Sequence, residues 1–156
     1  MHIEEVVALL RKAIEIVRAR SVDVYTFSLY HDHESGALGV CVDTKQNSAD
    51  VVARINAYSS KHFARCINEG SLKEAALWQA NMGRSLSLGD FELVNLARTG
   101  IPEGLETGHS FYLTLVNALR RMESEVCECT SSPLEVLFTC SMQHDEVGLV
   151  WCRADA

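Results

Sequence analysis

Apolar residues recur every three or four positions over residues 3–20. Ile3, Val6, Val7, Leu10, Ile14 and Val17 fall on one stripe, which predicts an amphipathic helix. Glu4 and Glu5 open it and Arg18 and Arg20 close it, the order that suits a helix dipole. The period then changes to two. From Val22 to His31, Tyr25, Phe27 and Leu29 alternate with Val24, Thr26 and Ser28, the pattern of a strand. His31-Asp-His-Glu-Ser-Gly36 reads as a turn, with Gly36 free to take positive φ, and Ala37 to Asp43 returns as a second strand.

The middle of the chain reads as helical. Asn47 or Ser48 caps a predicted helix that runs to about Asn68 and ends at Gly70, with Val52, Ile55, Ser59, Phe63 and Cys66 inward. Ser71-Leu-Lys-Glu74 has the form of a capping box and predicts a helix to Trp78 or Met82. Ser87 begins a third, with Phe91 and Val94 inward and Gly100 and Pro102 closing it. Thr107 opens the last long helix, whose stripe is Phe111, Leu115, Ala118, Leu119, Met122 and Val126. Leu134 to Ser141 and Val147 to Cys152 flank a polar break, Gln143 to Glu146, and read as a closing hairpin. Phe138, and Trp151 with Leu149, are expected to face the helices.

A lone hairpin is unstable in water. The order helix, hairpin, helices, hairpin therefore predicts one α+β domain spanning residues 1–156. Its two β-hairpins form a four-stranded antiparallel sheet packed against several α-helices. At 156 residues, roughly 70% of the unfolded surface can be buried, so the core needs no metal or disulfide staple.

Composition narrows the function classes. The apolar runs fall far short of the ~20 residues that span a bilayer. The acidic, amphipathic N-terminus is unlike a signal peptide, which predicts a cytoplasmic protein. Of six cysteines, Cys41, Cys140 and Cys152 lie in strand patterns and Cys66 in a helix, positions that suit reduced, buried thiols. Net charge is −7, and it is uneven: residues 1–78 carry nine cations and ten acids, whereas residues 79–156 carry five and eleven. Such an acidic half repels nucleic acid and anionic membranes and attracts cationic partners.

No catalytic motif stands out. Gly-x-Ser-x-Gly, phosphate-loop, dinucleotide and His-Glu-x-x-His patterns are missing, so no catalytic residue, metal or cofactor is expected. His31-x-His33 would place both imidazoles on one face if the strand continued, with Asp32, Glu34 and Asp43 as oxygen donors, but the segment reads as a turn. Cys127-Glu-Cys129 has the wrong spacing for a zinc pair. His62 and His109 fall on helices without a partnered nucleophile. Trp78 ends a short amphipathic helix and could line a groove.

Residues 77–95, with Leu77-Trp78 and Leu86-Ser-Leu-Gly-Asp90-Phe-Glu-Leu-Val-Asn95, resemble a bacterial family called domain of unknown function 4303. The first strand, Val24 to Tyr30, and the closing hairpin with its His144-Asp-Glu146 turn fit the same plan, so the resemblance covers nearly the whole chain. It implies no catalytic residues. The leading expectation is a protein-binding protein, of the kind that gives immunity by neutralising a toxin. A basic toxin domain would meet the acidic half through Asp90, Glu92, Glu103, Glu106, Asp145 and Glu146, all in expected loops or helix starts. The alternative is an enzyme or small-molecule binder with a pocket between sheet and helices near His31, His33 and Asp43.

Overall fold

A computed structural model describes residues 1–153. The described residues form four α-helices and a five-stranded mixed sheet. The helices are α1 (Ile3–Ala19), α2 (Lys45–Asn68), α3 (Leu72–Ala75) and α4 (His109–Cys127). The strands are β1 (Thr26–Asp32), β2 (Ala37–Asp43), β3 (Leu93–Gly100), β4 (Leu137–Met142) and β5 (Asp145–Cys152), in the order β3-β2-β1-β4-β5. Both expected hairpins are present, but they join through a parallel β1–β4 pair, and β3 adds a fifth strand. The sheet is therefore neither four-stranded nor wholly antiparallel. No helix is long and apolar enough to cross a membrane among the described residues.

The predicted stripes of α1 and α4 are the ones that bury. Val6, Leu10, Ile14 and Val17 from α1 meet Leu115, Leu119 and Met122 from α4 over Phe27, Leu29, Leu38, Val40, Val42, Phe138 and Cys140. Trp151 faces the same side, as expected: it stacks on Phe138 at 5.9 Å and donates its indole N–H to Glu123 of α4. Burial at this density excludes water and is the main source of stability.

The other sheet face is polar along the β1–β4 seam. Thr26, Ser28, Thr139 and Ser141 are all buried there, and Thr139 donates its hydroxyl to Ser28. Residues 79–91 strap this face. Arg84 donates to the carbonyls of Tyr25 and Glu135 and lies 3.5 Å from the Tyr25 ring centre. Leu88 and Phe91 pack with Tyr30 and Cys41.

Three readings of the middle segment are corrected. The predicted helix from Ser87 is one 3-10 turn, Leu88–Asp90, followed by β3, and Val94 is exposed. Asn95 has φ 53° at an irregularity where Val42 pairs with Leu93 but Val40 pairs with Ala97. The extra residues leave Leu93 and Ala97, four apart, both packed with the core, and that spacing imitates a helix. The Ser71 helix is only four residues long and has no side-chain cap. In α2 the N-cap is Thr44, whose hydroxyl accepts from the Asn47 N–H. Its buried residues are Ser48, Val51, Ser59 and Cys66, while Ile55 and Phe63 are exposed. The helix continues past the sheet that would have covered them. All six cysteines are free thiols.

Candidate functional site

The strand directions decide which loops meet. β1, β3 and β4 run one way and β2 and β5 return. The β1–β2 turn, the loop from β3 to α4 and the β4–β5 turn therefore share one end of the sheet. His31 and His33 stand at that end, on the final residues of β1 and the first of the turn. β1 reaches Asp32, one residue further than expected, so alternation does bring both imidazoles to one face, with ring centres 3.9 Å apart.

His31 is 4% exposed. Its backbone N–H donates to the Ser141 hydroxyl, and its Nδ1 lies 2.9 Å from the Tyr112 hydroxyl. Burial pushes its pKa down, the neighbouring His33 adds to that, and Asp32 opposes it, so the ring is neutral at pH 7. Burial likewise pushes the Tyr112 phenol up, keeping it a neutral hydrogen-bonding group. Together with Ser35, Ile101, Pro102, Glu103, Leu105 and Thr107, the two histidines line an open cavity of about 430 Å³.

Asp32 is tied into the turn beside them. It accepts from the backbone N–H groups of Glu34 and Ser35, from the Ser35 hydroxyl, and from Arg98 at 2.6 Å. The Ser35 hydrogen bonds, followed by the Arg98 guanidinium, hold its carboxyl well below the usual range. Arg98 is the one lysine or arginine in the segments that build this end, residues 32–36, 98–108 and 142–146. Those segments also carry Asp32, Glu34, Glu103, Glu106, Asp145 and Glu146.

The six acids expected at a partner interface do not form one surface. Glu103 lines the cavity and Glu106 follows in the same loop, while Asp145 and Glu146 open β5 at the same end. Asp90 and Glu92 lie at the opposite end, where Val42 pairs with Leu93. Asp90 is ion-paired with Arg54 at 3.2 Å, and Glu92 accepts from the Thr44 hydroxyl.

Asp43 also separates from the histidines. It pairs with Thr26 at the far end of β1, about 20 Å from Asp32 at the usual strand rise, on the face opposite His31. Fully buried, it is a structural node. Its Oδ1 accepts from the Thr44 N–H, the Asn47 side-chain amide and the Glu92 N–H, while Oδ2 has no partner. Burial raises its pKa against the pull of those donors.

A second concave feature lies on the outlying half of α2. Trp78 stacks on His62 at 4.4 Å, and Tyr58 packs at 4.4 Å from the same imidazole. Trp78 and Phe63, with Ser59, Ser60 and Gln79, line a groove of about 350 Å³. Tyr58, Leu72, Leu77 and Met82 are exposed on the same arm. Trp78 thus does line a groove, and His62 supports it.

Sequence reasoning missed Tyr112 and Ser141, which tertiary pairing brings to His31, and Arg98, which it brings to Asp32. Tyr112 adjoins Phe111 at the buried start of α4, the only local sign that its hydroxyl would need a partner. His109 is the first residue of α4, as expected for a helix start. Among the described residues, no group of three or more His, Cys, Asp or Glu side chains is arranged to hold a metal ion. The chain matches no family model, no curated protein and no solved structure.

Proposed function

We propose that this protein acts by binding a cationic protein partner at the histidine-bearing end of its sheet, as an immunity protein does when it neutralises a basic toxin. The observation that carries this reading is the charge at that end: six carboxylates against one arginine, which Asp32 already pairs at 2.6 Å. A surface of one sign raises the encounter rate with an opposite charge and discourages wrong partners. The acids stand on loops fixed by a packed sheet, an arrangement that suits recognition. Glu103, Glu106, Asp145 and Glu146 belong to this surface, and Asp90 and Glu92 fall outside it.

The test begins with a partner captured from the native host. Replacing Asp145 and Glu146 by Lys should slow association at least tenfold at low salt and leave the melting temperature within a few degrees. Raising salt should slow association of the parent protein while dissociation changes little, because the screening length is about 8 Å at physiological ionic strength. A partner whose association ignores both salt and charge reversal would overturn the proposal.

The His31–His33 cavity supports a second reading, a small-molecule or enzymic site. Two imidazoles line one concavity, and the Tyr112 hydroxyl behind them bonds His31 Nδ1, so the site offers proton donors and acceptors. Asp43 has no part in it. Turnover of a small molecule that is lost on replacing His33 by Ala, with no protein partner captured, would favour this second reading.

A further inference from the structure

We infer that the His31–His33 cavity is a socket for one lysine or arginine side chain of that cationic partner, an inference that rests on the reading of the acidic end as a protein-binding surface. A basic side chain has two parts, an apolar stem and a charged head, and buries the stem while keeping the head bonded. The cavity has a wall for each. Ile101, Pro102 and Leu105 offer apolar contact for the methylenes. Glu103 supplies a carboxylate for the head from the same loop.

His31 adds an acceptor in one of its two neutral tautomers. Its side chain lines the cavity although the residue is only 4% exposed, and its Nε2 makes no hydrogen bond among the described residues. When Nδ1 carries the proton and donates it to the Tyr112 oxygen, Nε2 is left as a free acceptor on a residue that lines the cavity. The His33 ring, 3.9 Å away, extends the same wall.

An anion is the competing occupant. It would gain from the N-terminus of α4, which begins beside Thr107 with no side-chain cap and no acid in its first turn. It would have to pass Glu34, Glu103, Glu106, Asp145 and Glu146 on the way in. The helix-end effect falls off within one turn. The carboxylates outnumber it and act from outside the cavity, where a charged ligand is first selected.

The probes are N-acetyl-arginine amide and N-acetyl-lysine amide, with the norleucine and glutamate amides as neutral and anionic controls. Side-chain histidine resonances of the intact protein report the site. The cationic probes should shift the His31 and His33 signals saturably, at millimolar concentration, and leave His62 unmoved. Glu103→Gln should weaken that binding about tenfold, the usual effect of losing one charge-assisted hydrogen bond. His33→Ala should weaken it as well, and neither change lies in the core. No shift with either cation, or an equal shift with the glutamate amide, overturns the socket.

The captured partner separates the two proposals. If Asp145→Lys with Glu146→Lys slows its association while Glu103→Gln and His33→Ala leave affinity unchanged, the socket fails and the acidic surface stands. If the cationic probes bind in the cavity but charge reversal leaves the partner untouched, the acidic-surface reading fails and the assignment of the socket to that partner fails with it. A loss of partner affinity of tenfold or more in Glu103→Gln, matching its loss of the arginine probe, supports the socket.

Discussion

His31 and Asp43 show how differently two polar residues of one hairpin can be used. His31 stands near the end of a strand, keeps one nitrogen on Tyr112 and lines a cavity. Asp43 closes the next strand and spends one oxygen on three donors while the other has none. Both residue types were visible in the sequence. Their separation was not, because it depends on a seven-residue antiparallel register. Asp43 gives a prediction with a definite sign. Burial raises its folded pKa above the unfolded value of about 3.9. The native state therefore holds the proton more tightly, and the resulting stability is full below the unfolded pKa and lost as pH rises through the folded one. Asp43→Asn keeps an acceptor for all three donors and cannot ionise. It should equal or exceed the parent in stability at pH 7 and lose that advantage near pH 4, as read from urea melts at both pH values. Asp43→Ala strands the three donors and should cost about 1–3 kcal/mol at either pH. Matching pH dependence in the parent and the Asn variant would show that the carboxyl is not strained by burial.

At the level of elements, the legible parts were those whose period survives intact. The stripes of α1 and α4 and the alternation of β2 name their own faces, and the structure buries them accordingly. β3 was hidden because Asn95, with its φ of 53°, breaks the alternation and spaces Leu93 and Ala97 like a helix. β5 carries a similar irregularity, pairing Leu149 with Cys140 but Asp145 with Met142. The faces of Phe138 and Trp151 were nevertheless readable, since both lie on the regular side of that break. Their burial differs, so their substitutions should differ. Phe138 is fully buried between sheet and helices, and Phe138→Ala should cost about 3–5 kcal/mol in chemical denaturation. Trp151 is half-buried at the β5 edge, and Trp151→Ala should cost about 1.5–3 kcal/mol, including its hydrogen bond to Glu123. Equal losses in the two variants would mean that β5 packs more deeply than its exposure indicates.

The whole molecule divides into a packed body and an arm, and its charges divide with it. Residues 45–84 carry six cations, Lys45, Arg54, Lys61, Arg65, Lys73 and Arg84, against three acids, Asp50, Glu69 and Glu74. The rest of the chain therefore holds all of the net negative charge, and six of its carboxylates stand at the histidine-bearing end. No sequence pattern announced the arm. Helical periodicity marks an apolar face but not whether anything covers it, and α2 runs for 24 residues, about 36 Å, while burying only Ser48, Val51, Ser59 and Cys66. Local stability follows from that geometry. A helix with few buried contacts opens at a lower free energy than the strands of the core. The base of α2 is anchored, through Asn47 to Asp43 and to the Asp90 carbonyl, and through Ser48 to the Ser85 N–H. Its outer half leans on Asn56, which clasps Asn81, and on the Trp78–His62 stack. Amide exchange should accordingly grade along α2, with residues 60–68 exchanging at least a hundredfold faster than β1 and residues 48–52 in between. Trp78→Ala removes the stack and one wall of the groove, so it should speed exchange in residues 56–68 and leave β1, β4 and the His31–His33 cavity unchanged. Uniform protection along α2, equal to that of β1, would show that the arm unfolds only with the body, and the division drawn from burial would then have no energetic meaning.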